Sequence, residues 1–411
     1  MHGSDRLDVA GLEAAEALGN GSLAMRMLWD QYVFRRGYDA NDLWDRMFEK
    51  RPTRLLYIAG SGFDVRAQVV MRECVDSIRN SGAAVEDAKL ILISFANYRL
   101  DAALEELTAQ NARDLGEIFS VIGSVESVSF GATENGEEIS ASSALRFGTD
   151  AVLHMVADQT DIILDASSLP RVIYLALMTS LLNRLIPDKT APNALAAGGV
   201  NFQVLVAEDA SLDGQIMAED PSSEIVLVPG FSGAMQAESV QDWPLVWFPI
   251  LGEHRVNQLQ QIMRSTEIPG EAEICPVLPH PSRNPRRADL LLVEYMEPLF
   301  RSRRTPISNI LYVHESQPFE AYRQLLGAMM RYRDSMAILG GCRLVVTPFG
   351  SKLITLGAGL ACFEMRPQDL EAQYGVAIPH AEPTRYVADA QAIRSSRPDI
   401  CCLLLTGEAY T

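Results

Sequence analysis

Four residues that can hold a polar ligand stand together in the stretch TDIILDASSLPR: Asp165, Ser167, Ser168 and Arg171, directly ahead of the apolar run VIYLALMTSLLNRL. A helix start needs one hydroxyl as a cap, and Pro170 suits a first turn. One serine and the proline are thereby explained. An arginine in the first turn is opposed by the helix dipole, so it calls for a bound anion or for a bridge to Asp165. Both readings stand on the sequence alone. The ligand reading gives Arg171 a phosphate, the serines its oxygens, and Asp165 a ribose or base group.

The pattern recurs. In TPFGSKLITLG, Gly350, Ser351 and Lys352 again put a polar turn and a cation at a helix start. In YIAGSGFDVRAQ, Gly60, Ser61 and Gly62 fit a tight turn at a strand end, where helix N–H groups face anions. This is G-x-G without the third glycine of a dinucleotide fingerprint. Asp64 is placed either to cap the next helix or to hold a ribose hydroxyl, and Arg66 falls in that helix's first turn. A fourth stretch, EICPVLPHPSRNPRRADLLLVEY, carries Arg283, Arg286 and Arg287 on a loop stiffened by Pro276, Pro279, Pro281 and Pro285. Arginines on a rigid loop of an acidic protein call for a partner. The loop therefore suggests a ligand phosphate, or a protein partner or second copy, met through acids such as Glu294.

General acid/base candidates are His314 and Glu315 in YVHESQPFEAYRQ, with Asp165 as an alternative. Glu253 and His254 form a second such pair beside Arg255. No nucleophile elbow, P-loop or HExxH occurs. The six cysteines are scattered without metal-ligand spacing, which predicts reduced core thiols and no metal site.

These residues need strand ends and helix starts to position them. RLLYIAG, KLILISF, TDIILD and NFQVLVAED read as buried strands separated by helical patterns, and SEIVLVPGFSG, PLVWFPIL, SNILYVHE and CRLVVTPFG repeat the texture. Alternation of this kind implies an α/β fold of two Rossmann-like parallel-sheet halves. The expected boundaries are an N-terminal helical segment over 1–50, a first half over 51–218 and a second over 219–411. Three pairings suggest related halves: Gly62-Phe63 with Gly230-Phe231, Arg171 with Lys352, and Ala207-Glu208 with Ala381-Glu382. Any two α/β units share such spacing, so common descent stays open. SVESVSFGATENGEEIS reads as an added hairpin.

The chain has 411 residues and a net charge of −18, which argues against a broad nucleic-acid surface but not against a local basic pocket. Its apolar runs are too short to span a bilayer, and the N-terminus lacks the apolar segment of a signal peptide. The expected location is the cytoplasm.

On the residues GSGFDVR, DASSLPR, LPHPSRNPRRAD, HESQPFEAYR and PFGSKLITLGAGLACFE, the chain resembles a poorly characterised bacterial family associated with defence gene clusters, over roughly Arg54 to Tyr386. More distantly, TPFGSK resembles the strand–turn–Lys element of CARF and SAVED domains. Those are Rossmann-like sensors of cyclic oligonucleotides, and SAVED joins two such units. The resemblance implies a sensor or accessory subunit. It gives Ser351 and Lys352 a phosphate-contacting role and Ser168 and Arg171 the matching one, although Phe349-Gly350-Ser351 replaces the usual two glycines and Thr. GSGFDVR also resembles the glycine loop of methyltransferases that bind S-adenosylmethionine, but ILISF ends in Ser94 and Phe95 where an acid is expected. A nucleotide-modifying enzyme and an assembly subunit are the competing readings.

Overall fold

The computed structural model describes residues 27–49, 51–82, 84–95, 98–131, 133–134, 137–196, 198–368 and 374–411. The segment LEAAEALG, expected to be helical, lies outside them. Two seven-stranded, mostly parallel sheets carry the fold. The first runs β1 (Val33–Arg36), β16 (Asp399–Thr406), β8 (Asn201–Glu208), β7 (Asp161–Asp165), β2 (Thr53–Gly60), β3 (Val85–Phe95), β4 (Ser124–Phe130). Its five central-to-edge strands β8, β7, β2, β3 and β4 are parallel, and β16 is antiparallel to β8. β5 (Thr133–Glu134) and β6 (Glu137–Glu138) form a separate two-stranded ribbon, but SVESVSF, expected to belong to an added hairpin, is instead the parallel edge strand β4.

The second sheet runs β13 (Leu311–Val313), β12 (Val277–Pro279), β10 (Leu245–Ile250), β14 (Cys342–Pro348), β15 (Tyr374–Val387), β9 (Met217–Ser232), with β11 (Glu273–Ile274) also against β10. Counted along the chain within each half, both sheets place their parallel strands in the order 3-2-1-4-5. Both then add an antiparallel strand beside strand 5. The inner strands β2, β7, β8, β10 and β14 are almost wholly buried because both faces are covered.

The repeat of topology corrects one of the three pairings. The counterpart of β2 is β10, which ends before Leu251-Gly252. Gly230-Phe231 instead belongs to the antiparallel β9. Arg171 with Lys352, and Glu208 with Glu382, do fall on equivalent elements. The sheets also cross the expected boundaries. The C-terminal strand β16 completes the first sheet, and Val33–Arg36, read as helical, is the strand β1 paired with it. Alternate residues of VFRR pack on a strand whose hydrogen-bonding edge is otherwise open, and that pairing overrides a local helical pattern.

Between the sheets lies a shared layer of helices: Ala141–His154 and Arg171–Leu185 from one half, Pro318–Met336 and Lys352–Met365 from the other. The Arg171 and Lys352 helices touch at Gly359, where a Cβ would come within 2.7 Å of Leu175 and Met178 side chains. One apolar cluster runs through this layer and both sheets, including Ile58, Leu164, Leu175, Val246, Val346 and Leu356. All six cysteines are buried and unpaired. No described helix is long and apolar enough to cross a membrane.

Candidate functional site

In each sheet the strand order reverses between strands 1 and 4, and a crevice opens there at the carboxyl ends. The two crevices face each other. They enclose one cavity of about 300 Å³ lined by both polar turns: Ser61 to Asp64 and Ser167 to Arg171 from the first half, Phe349 to Lys352 from the second. The cations at the two helix starts thus meet in one space.

The turns themselves are fastened by the fold. Gly60 and Gly62 are required because the Ser168 turn lies against them: a Cβ on Gly62 would sit 2.7 Å from the Ser168 carbonyl. The close approach expected of a ligand is made by this backbone. The Arg171 helix begins without a side-chain cap, so neither serine caps it. Ser168 Oγ donates to the Gly60 carbonyl, and Ser167 Oγ accepts from the Ala207 N–H at 2.8 Å. Asp165 lies beneath the turn, fully buried, accepting from the Ser167 N–H at 2.8 Å and the Tyr57 hydroxyl at 3.0 Å. It does not line the cavity. Burial lifts its carboxyl to about 6 despite those bonds. No Asp165–Arg171 bridge forms; Arg171 Nη2 reaches across and donates to the Gly350 carbonyl at 2.8 Å. Ser351 caps the Lys352 helix, and Lys352 Nζ donates back to the Ser167 carbonyl.

Besides Glu208, which pairs with Arg36, three groups of charge line the cavity. Asp64, Arg66, Asp213 and Lys352 form a closed set. Arg66 holds Asp64 bidentately at 2.8 and 2.7 Å and reaches Asp213 at 2.7 Å, while Lys352 stands 3.6 Å from Asp64. Burial pushes the Asp64 carboxyl up, but Arg66 and Lys352 outweigh it and hold it below its usual range. Two cations face two carboxylates, so this set attracts no further ion. Arg287 is likewise spent: its guanidinium forks onto Glu253 at 2.5 and 2.7 Å and also meets Glu315.

The third group is different. Arg171 and Arg255 both line the cavity and, among the described residues, neither forms an ion pair. His380, 4% exposed, lies with them, and its Nδ1 has no partner. Burial, then Arg171, then Arg255 drive the imidazole well below its ordinary range, so the ring is neutral. Burial and the Arg171 charge also lower Arg255. Both guanidinium groups also act on Glu382, whose carboxyl burial lifts to about 7 against their charge and the Tyr98 hydrogen bond.

A chain of aromatic rings borders it. Phe95 meets Tyr98 at 5.8 Å, Tyr98 meets Tyr386 at 5.0 Å, and Tyr386 meets Phe63 at 5.6 Å. Tyr386 arrives on an extension of β15 that crosses to the first half, where the Arg99 N–H donates to the Thr384 carbonyl at 2.8 Å. Phe95 occupies the end of β3, where the methyltransferase resemblance expects an acid.

The remaining sequence candidates lie elsewhere. Arg283 bonds Asp399 at 2.8 Å, and Glu315 receives the Arg283 N–H at 2.8 Å. Glu315 therefore anchors the proline-rich loop. Arg286 is exposed and outside the cavity lining. His314 Nδ1 accepts from the Ser316 N–H at 3.2 Å and does not line the cavity either. The sequence reading overlooked His380, Glu382, Tyr98 and Tyr386, and read Arg255 only as a neighbour of a His–Glu pair. A signal was present in AIPHAEPTRY: His and Glu two apart between prolines on a strand share one face. Among the described residues, no group of His, Cys, Asp and Glu is placed to hold a metal ion.

No family model and no curated protein matches the chain. Among solved structures, a universal stress protein from Pseudomonas aeruginosa aligns at 12% identity, covering 82% of this chain and 95% of its own, with a TM-score of 0.22.

Proposed function

We propose that the protein binds a nucleotide-type ligand in the cavity between its halves and acts as a sensor or accessory subunit in bacterial defence. One observation carries the reading: Arg171 and Arg255, neither of them in an ion pair among the described residues, converge on neutral His380 where two strand-order switch points meet. A phosphate there accepts from both guanidinium groups and from the imidazole. The aromatic chain alongside supplies ring surface. The closed ion set at Asp64 and Arg66 stiffens the opposite wall. The defence role rests on the resemblance of DASSLPR and PFGSK to the turns of nucleotide sensors. A binding role is favoured over catalysis because His314, Glu315 and Asp165 lie outside the cavity lining.

Calorimetry against nucleoside mono-, di- and triphosphates and cyclic oligonucleotides tests this. Arg171→Gln and Arg255→Gln should each weaken the bound member about tenfold or more, since each removes a charged hydrogen bond. Mass spectrometry should recover that ligand unchanged. No heat with any member, or variants that bind like the parent protein, would overturn the reading; turnover would convert it to an enzyme.

A further inference from the structure

A second chamber, of about 480 Å³, adjoins the first and shares the wall made by Phe95, Tyr98 and Pro383. Phe130, Leu145, Val172, Ile173 and Val226 give it an apolar lining drawn from both halves. Two acids reach it. Glu224 is exposed at the Ala141 helix start, where it accepts from the Ala141 and Ser142 N–H groups at 3.4 Å. Glu382 lies inside. Its Oε2 accepts from the Tyr98 hydroxyl at 2.8 Å, and its Oε1 is buried without a hydrogen-bond partner. The neutral His380 ring stands beside it, with Nε2 3.7 Å from Oε1.

The equivalent residue of the other sheet makes the contrast. Glu208, at the end of β8, pairs directly with Arg36, whereas Glu382 pairs with no guanidinium group and feels Arg171 and Arg255 only through space. A buried carboxyl oxygen left unpaired is costly unless something else supplies its partner. The pairing of β15 with β9 slips register on both sides of this pair, between Ala377 and Pro379 and between Ala381 and Pro383. Irregularities of that kind re-aim side chains beside binding sites.

We propose that this chamber takes the heteroaromatic ring of the same ligand, and that Glu382 is the residue that reads the ring's hydrogen-bonding edge. The inference rests on the nucleotide-type reading above. His380 lines the first cavity and Glu382 the second, two residues apart on one strand, with Nε2 and Oε1 3.7 Å apart where the chambers adjoin, so a ligand that reaches from one chamber into the other meets both. The carboxyl offers a ring edge one fixed acceptor and, when protonated, one donor. The apolar walls enclose the rest of the ring.

Binding of AMP, GMP, CMP, UMP and ribose 5-phosphate to the full chain tests this, with Glu382→Leu and Glu382→Gln compared. The ring-bearing members should bind more tightly than ribose 5-phosphate. Glu382→Leu should erase that advantage, about tenfold or more, while leaving ribose 5-phosphate unchanged. Glu382→Gln, which keeps a donor and an acceptor, should retain it. Equal losses for the nucleotides and ribose 5-phosphate, or no loss for either, would sink the assignment of Glu382 and leave the anion corner standing. Absence of binding by every probe overturns both readings together.

Discussion

Arg171 and Lys352 each open a helix, and each donates to the backbone of the turn that precedes the other: Arg171 to the Gly350 carbonyl at 2.8 Å, Lys352 to the Ser167 carbonyl. The exchange ties the two switch turns to each other across the cavity. It also leaves the two cations unlike. Lys352 sits beside Asp64, whereas Arg171 faces His380 and Arg255.

Because the two donors clasp the same pair of turns, their removal should not be additive. Arg171→Met and Lys352→Met combined should deviate from the sum of the single variants by about 1 kcal/mol in a double-mutant cycle read by urea unfolding. Strict additivity would show that the turns are held independently.

Arg66 is 2% exposed and satisfies two carboxylates. Arg66→Met leaves buried Asp64 and half-buried Asp213 with Lys352 as the cation that remains in the set. The expected loss is about 3–5 kcal/mol of unfolding free energy. A change under 1 kcal/mol would mean that the ion set is not a structural wall.

Gly62→Ala directs a methyl group at the Ser168 carbonyl, 2.7 Å away. The backbone on both sides is pinned, so relief requires the turns to part. Destabilisation of about 1–3 kcal/mol should follow, measured by thermal and urea unfolding. A neutral substitution would show that the two turns can separate freely.

Asp165 gives a pH dependence whose sign can be worked out. Its carboxyl lies at about 6 in the folded chain against an ordinary 3.8, because burial disfavours the charge. Between those values the unfolded chain has already lost its proton while the folded chain keeps it. The contribution to stability is therefore present below about pH 4, is lost as pH rises to about 6, and is flat beyond. The gap between the two values corresponds to about 3 kcal/mol. Asp165→Asn should flatten that part of the stability profile. An unchanged slope would show that the proton is held elsewhere.

His314→Ala should leave ligand affinity unchanged within twofold, since the His314 ring meets the Ser316 N–H and hydroxyl and lies outside the cavity lining. A large loss, read by calorimetry, would return His314 to the site.

The polar turns were legible because their signals are local. A strand run, a glycine or serine turn and a cation at the helix start all fall within a dozen residues, and periodicity places them. What those residues bond to was not legible. Ser167 was expected to meet a ligand or cap a helix, but its hydroxyl serves Ala207 on the next strand. Gly62 was read as making room for a ligand, and it makes room for Ser168. Both partners are tens of residues or more away or across a turn whose geometry the sequence does not state.

The sequence alone determined the alternation of strand and helix, hence two parallel sheets, and it put a cation at the start of one helix in each half. Side-chain periodicity and turn chemistry act over a few residues and need no knowledge of distant partners. Only the tertiary structure decided that β16 closes the first sheet, that the two turns face each other, and that Arg171, Arg255 and His380 share one corner. Those contacts join segments more than eighty residues apart along the chain. They arise from burying the helices between the sheets, a condition satisfied by the whole chain at once and written in no single stretch of it.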